Sequence, residues 1–309
     1  MNEIPIKEEM AAEFLADLDA PSPATTETYR RALRRFFRFG VQNRLTRFTR
    51  QDIKRYRDEL STLGLSPVTM RVYMTSLRKF FEYLDKNKIH PDVARDVRIA
   101  KVDVLYENKS FLTAQETAQI LKSIELNTEK GKRNRAMIHL SVTTGLLGIE
   151  LSRAFVKDIR TQDGKTVLFV QGKGCPDKNN YVILPEDVLK SVQDYLACRV
   201  GVNDQSALFA RLYGEEPREG LKPREIRNCI KEVINQSGID NAKDRSVRSL
   251  RDTAGLLAIA GEESINDVSR FMRHVSVEST IVYARHADKL QNTCSQTVAD
   301  TIRQAMSGP

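Results

Sequence analysis

Arg248-Ser249-Leu250-Arg251, followed 23 residues later by His274 and nine after that by Tyr283, is the stretch on which the reading of this chain turns. A phenol, with an ordinary pKa of about 10, is a useful nucleophile near neutrality only where cationic donors surround its target. Arg251 stands three residues after Arg248, a spacing that predicts both guanidinium groups on one face of a helix, where they would clamp a phosphate. The bland alternative is a solvated arginine pair, with the tyrosine of Val282-Tyr283-Ala284 used for packing. The rest of the chain has to decide.

Outward from that stretch, helical patterns cover residues 246–260 and 265–272, and upstream 223–236 and 186–198. Asp163-Gly164 signals a turn, 165–171 reads as a strand, Gly172-Lys173-Gly174 turns the chain, and 181–184 is the return strand, with Lys173 at the tip. Residues 133–143 form a further helix, Gly145 marks a turn, and a short helix follows through 149–154. Thr113 and Glu116 make a capping box that opens this half. A mainly α-helical domain with a small β-sheet is predicted over 111–309. Near its end Leu290, Cys294, Val298, Ile302 and Met306 recur every four residues, a stripe that must dock on its own domain or on a neighbour.

The amino-terminal part is a separate helical bundle, over residues 1–97, with a linker at 98–110. Its helices are expected at 6–19, 26–39, from the Thr49/Asp52 cap to about 61, and from Ser66-Pro67 onward. The chain of 309 residues suits two domains. It carries 49 Lys plus Arg against 41 Asp plus Glu, a net charge of +8, which favours a polyanionic partner. The excess has an address: residues 30–57 contain eleven basic side chains and one acid, Asp52. Solvated helix faces ordinarily carry both signs, so Arg30, Arg34, Arg35, Arg38, Arg50 and Lys54 are candidate contacts to DNA phosphates. Four scattered cysteines without metal spacing imply free thiols in a reducing compartment. The first residues do not resemble a signal peptide and no apolar run reaches membrane length, which implies a cytoplasmic protein without a membrane partner.

Taken together, these motifs resemble the tyrosine recombinases of the phage-integrase-like class over nearly the full length. The first catalytic box of that family resembles Thr144-Gly145-Leu146-Leu147-Gly148-Ile149-Glu150-Leu151, but its usual arginine falls at Leu147. The family's hairpin lysine matches Lys173. Its His-x-x-Arg box resembles Arg248-Ser249-Leu250-Arg251, with arginine in place of histidine and with Asp252 next, where a histidine is common. The Leu-Gly-His box resembles Met272-Arg273-His274, and the nucleophile maps to Tyr283.

The resemblance implies an amino-terminal core-binding, SAM-like domain and a carboxy-terminal catalytic domain closing as a clamp on double-stranded DNA. It also implies a synaptic tetramer on paired sites, in which the terminal stripe belongs to a helix donated to the adjacent protomer. The activity implied is site-specific recombination: Tyr283 forms a 3′-phosphotyrosyl ester, Arg251 and His274 hold the nonbridging oxygens with Arg248 assisting, and Lys173 protonates the departing 5′-oxygen. No cofactor or metal is required. Leucine at 147 removes a charged donor, which implies a slow enzyme, and Arg248 is a better candidate than Arg153 to compensate. The departures at Leu147, Arg248 and Asp252 equally support a catalytically inactive, architectural DNA-binding protein that partners an active recombinase or a DNA-bending protein.

Overall fold

The computed structural model describes residues 8–19, 22–98, 110–291, 298–299 and 302–303. The chain divides into two compact units, Met1–Val104 and Leu105–Pro309.

The first unit holds α1 (Glu8–Asp17), α2 (Pro23–Gln42), α3 (Arg50–Thr62) and α4 (Pro67–Lys86). Each start follows from local chemistry. Ser22 and Ser66 cap α2 and α4, each with proline at a first-turn position, and Thr49 and Asp52 form the reciprocal capping box of α3. The core is aromatic: Phe36 packs against Phe48 (4.5 Å between centroids) and Tyr56 (5.2 Å), and Phe14 against Phe80 (5.6 Å). Because α2 turns Leu33, Phe36 and Phe37 inward, Arg30, Arg34 and Arg38, spaced four apart, are exposed on its other side.

The second unit contains α5 (Ala114–Lys122), α6 (Glu129–Thr144), α7 (Gly148–Arg153), β1 (Ile159–Gln162), β2 (Lys165–Val170), β3 (Asn180–Ile183), α8 (Glu186–Leu196), α9 (Pro223–Gln236), α10 (Val247–Ala260), α11 (Ile265–Phe271) and α12 (Glu278–Gln291). Its sheet is antiparallel in the order β1-β2-β3, with Leu168 opposite Ile159 on one side and Val182 on the other. Strand β1 was not expected from the sequence. It is short and polar, with only Ile159 half-buried, so it has no apolar alternation to reveal it. Asp163 and Gly164, both at positive φ (48° and 74°), make the tight turn from β1 to β2. Helix α6 begins four residues before its expected start, because Thr128 caps it by accepting the Gly131 amide at 3.0 Å.

Helix α6 lies in the interior, with Met137, Ile138 and Leu140 fully buried, and packs against α8 and α10; α12 packs in turn on α10 and α11. Cys175, Cys198 and Cys229 are free thiols. Among the described residues no helix is long and apolar enough to cross a membrane. The expected linker lies almost wholly outside the described residues, as do Cys294 and Met306 of the terminal stripe; Val298 and Ile302 are exposed.

Candidate active site

The first turn of α10 presents the arginines, and they diverge. At 100° per residue, positions three apart differ by about 60° around a helix, and here that angle separates inside from outside. Arg251 is 7% exposed and donates through Nη1 to the carbonyl of Gly145 and through Nη2 to that of Met272. Arg248 keeps a side chain 71% exposed and sends Nε to 3.5 Å from Asp252 Oδ2, one helical turn on. The expectation that the two guanidinium groups share a face is therefore corrected: one is locked in the interior, the other lies at the surface. Burial, together with the neighbouring Arg273, draws the pKa of Arg251 below the usual arginine value.

Tyr283 reaches the same helix from α12. It is 1% exposed, and its hydroxyl donates to Asp252 Oδ1 at 2.8 Å. Asp252, 2% exposed, thus holds the phenol with one oxygen and faces Arg248 with the other. The ring lies against those of His274 (5.9 Å) and Phe111 (6.1 Å). Its close approach to α10 requires Gly255, where a Cβ would meet Tyr283 ring atoms at 2.5, 2.7 and 3.0 Å. Burial pushes the phenol's pKa well above its ordinary value, and the charge and hydrogen bond of Asp252 add to this; Arg251 and Arg248 pull it back.

His274 follows α11 and is oriented by a 2.8 Å hydrogen bond between Nδ1 and Thr280 Oγ1 at the start of α12. With Arg273, Ser269, Arg270 and Asn180 it lines an open cavity of about 600 Å³. Asn180 is the first residue of β3 and pairs with Val170, so the loop end of the hairpin borders this space. Lys173 is exposed on the nine-residue connection 171–179, in a turn closed by the Cys175 amide on the Gly172 carbonyl (3.3 Å), with Gly174 at φ 78°. That loop is tied to α7: Arg153 Nη1 donates to Gly172 O (2.9 Å) and Lys178 Nζ to Arg153 O (2.7 Å). Arg153 is thereby committed to the loop rather than to the tyrosine.

Leu147 sits at the corner between α6 and α7. Gly145 ends α6 in the left-handed conformation (φ 66°), and Leu147 is the residue before α7, half-buried, its amide donating to Glu150 Oε2 at 2.7 Å. Glu150 is 3% exposed and is paired with Arg273, Nη2 to Oε2 at 3.2 Å. Arg273 also donates to Thr144 O, Gly145 O and Phe271 O (3.3, 3.3 and 2.9 Å), and its backbone has φ 54°. A left-handed non-glycine residue costs about 1–2 kcal/mol, so these contacts hold it there. Glu150, Arg273, Thr280 and Gly255 were not singled out in the sequence as site residues. The available signal was the pair of exchanges at 147 and 273, visible only once the two positions are brought together.

In the first unit Arg30, Arg34, Arg38 and Arg50 are exposed, whereas Arg35 and Lys54 are half-buried. Arg30 pairs with Glu27, Arg50 reaches the Asp96 carbonyl at 3.4 Å, and the Arg35 charge faces Tyr56.

Residues 110–289 match the phage integrase family and residues 11–88 the SAM-like amino-terminal domain of phage integrases. Among curated proteins the chain is 28% identical over 164 residues to the tyrosine recombinase XerC of Corynebacterium glutamicum, covering 53% of this chain and 50% of that protein. It is 23% identical over 201 residues to XerC of Lactobacillus delbrueckii subsp. bulgaricus, 63% of each. The chain thus spans between half and just under two thirds of these relatives. Among solved structures, the XerH site-specific recombinase bound to palindromic difH substrate in a post-cleavage complex superposes with a TM-score of 0.72 at 19% identity, over 97% of this chain and 91% of that one. The Tn1549 transposon integrase in complex with transposon right end DNA gives 0.70 at 16% identity, over 96% and 99%. At these identities the likeness is one of fold.

Proposed function

The chain belongs to the phage integrase family, and from that membership we propose that it cuts and rejoins duplex DNA at specific sites through Tyr283. One observation carries the reading: the Tyr283 hydroxyl lies 2.8 Å from a carboxylate oxygen of Asp252, in a shell that also contains Arg251 and His274. A buried phenol with a raised pKa needs a base as it attacks, and Asp252 is the acceptor in contact with its proton.

In the proposed step the Tyr283 oxygen bonds to phosphorus, its proton passes to Asp252, and the bond from phosphorus to the 5′-oxygen breaks. Lys173 gives the leaving oxygen its proton. Arg251 and His274 hold the nonbridging oxygens, and Arg248 stands beside Asp252 on the solvent side. The 5′-hydroxyl of another strand then reverses the sequence. Energy is retained in the phosphotyrosyl ester, so the exchange runs without ATP or metal. With Tyr283 1% exposed, attack requires α12 to shift when DNA is bound. The exposed arginines of α2 fit phosphate contacts in the first unit, and a tetramer on paired sites, in the cytoplasm, is the working assembly.

Leucine at 147 favours a second reading, a DNA-binding member that does not cut, because losing one comparable oxyanion donor costs about 10²–10³ in rate. A duplex nicked beside the cleavage point separates the two. Covalent protein–DNA product that disappears in Tyr283→Phe supports cleavage; no product at full occupancy rejects it and leaves the architectural reading.

A further inference from the structure

We infer that Arg273 supplies the phosphate-binding guanidinium missing at Leu147, reaching the same pocket from a different place in the chain. The inference rests on the site proposed above and extends it to a residue outside the catalytic set read from the sequence.

Three observations meet on one spot. The Leu147 amide and Arg273 Nη2 both donate to a single atom, Glu150 Oε2, at 2.7 and 3.2 Å. The guanidinium therefore lies beside the backbone of the residue whose side chain lacks one. Arg251 and Arg273 also donate to the same carbonyl oxygen, that of Gly145. Two like charges around one acceptor repel, and burial strengthens the repulsion. Glu150 offsets one of them, and an anion between the two would offset the other. Finally, Arg273 borders the open cavity it shares with His274, so a phosphate entering there meets both side chains.

The backbone adds independent weight. Position 273 takes φ 54°, a conformation that glycine adopts freely and arginine does not. A glycine there would avoid the strain; the arginine at this position has its side chain 11% exposed and anchored on Glu150, Thr144 O and Phe271 O. Two oxygens of one phosphate would take the place of the Thr144, Gly145 or Phe271 carbonyls on Nη1 and Nη2, a bidentate fit that an ammonium does not reproduce. The exchange of Arg for Leu at 147 and the presence of Arg at 273 thus restore the charge of the pocket while changing the backbone that carries it.

The test uses four full-length proteins: wild type, Arg273→Gly, Leu147→Arg and the double variant. The probe is a duplex containing the site located by nuclease footprinting. Binding is measured in a Tyr283→Phe background, independent of cleavage. Arg273→Gly is expected to reduce the slope of log affinity against log salt by about 0.9, the loss of one phosphate contact, and the double variant to regain it. An unchanged slope overturns the inference whether or not the wild type cuts DNA.

With Tyr283 present, Arg273→Gly is expected to slow covalent capture at saturating protein by about 10²–10³-fold, with recovery to within about tenfold on adding Leu147→Arg. A charge-neutral methylphosphonate at the cleavage position should erase most of the difference between wild type and Arg273→Gly. A loss that neither responds would mark Arg273 as a structural latch and refute the inference. Should Arg273→Gly fail to fold, Arg273→Lys keeps the pair with Glu150; it is expected to retain the salt slope and lose tenfold or more in rate, and an unchanged rate counts against a bidentate contact. Absence of covalent product from wild type, with the slope behaving as expected, would sink the cleavage reading and leave the phosphate contact standing.

Discussion

Replacing Asp252 by asparagine sets two effects of known sign against each other. The carboxylate accepts the Tyr283 hydroxyl at 2.8 Å, and a hydrogen bond to a charged group contributes about 1.5–3 kcal/mol against about 1 kcal/mol for a neutral pair. Were Asp252 only a clasp, Asp252→Asn would release about 0.5–2 kcal/mol of grip and speed covalent capture by about 2–30-fold, at 1.4 kcal/mol per decade. The amide would also let the phenol ionise more readily, because the charge of Asp252 that helps raise its pKa disappears and the hydrogen bond weakens, while burial remains. Were Asp252 the base, the same substitution would remove a contribution of about 10²–10⁴ in rate. Loss exceeds gain, so the expected net effect is a fall of about threefold or more. Rapid quenching of the nicked substrate at saturating protein measures the rate, and the alkaline onset of tyrosinate absorbance, compared with Tyr283→Phe, follows the phenol. An earlier onset together with an equal or faster rate would refute the role of Asp252 as proton acceptor.

Three further outcomes are expected. Gly255→Ala forces a methyl to within 2.5–3.0 Å of the Tyr283 ring, so it should destabilise the second unit by about 1–3 kcal/mol and raise the accessibility of Tyr283 to iodination; an unchanged melting temperature and reactivity would mean that α12 does not pack here in solution. Glu216→Gln leaves Arg199, whose side chain is fully buried, without its carboxylate and Arg218 with Glu129 alone. It should cost about 3–5 kcal/mol, or about 6–20 °C in melting temperature for a domain of this size. Arg199, first among several donors, holds the Glu216 pKa down to about 2, below the ordinary 4.5. The stability it contributes is therefore present above about pH 4.5 and lost as the pH falls toward 2, and melts of the Gln variant should lack that acid limb. Arg30, Arg34 and Arg38 changed together to alanine should weaken DNA binding and flatten its salt dependence. Arg35 is left in place because it is half-buried against Tyr56. Unchanged affinity would place the DNA surface elsewhere.

Much of this protein was readable before any coordinates. Capping chemistry is local, so Thr49 with Asp52 and Thr113 with Glu116 marked helix starts that the structure contains. Helical periodicity separated the aromatic face of α2 from its arginines, and the ordered motifs around Arg251, His274 and Tyr283 pointed to the family. These features depend on neighbours within about a turn of chain, which is what a sequence displays. Strand β1 escaped because a short polar edge strand is defined by its partner and not by its own residues.

The site divides along the same line. Spacing alone suggested that Arg248 and Arg251 act from one face, but burial against the Gly145 corner on one side and solvent on the other sent them apart. The family resemblance also marked Asp252 as a departure without saying that its carboxylate would meet the Tyr283 hydroxyl 31 residues away. Nor can a linear reading place Arg273 beside Leu147, since their adjacency is created by a shared oxygen of Glu150 and by packing of α10 between α6 and α12. Residue types and local order were the property of the sequence; which charges face one another was decided by tertiary packing, because electrostatic contact depends on distance in space and is indifferent to distance along the chain.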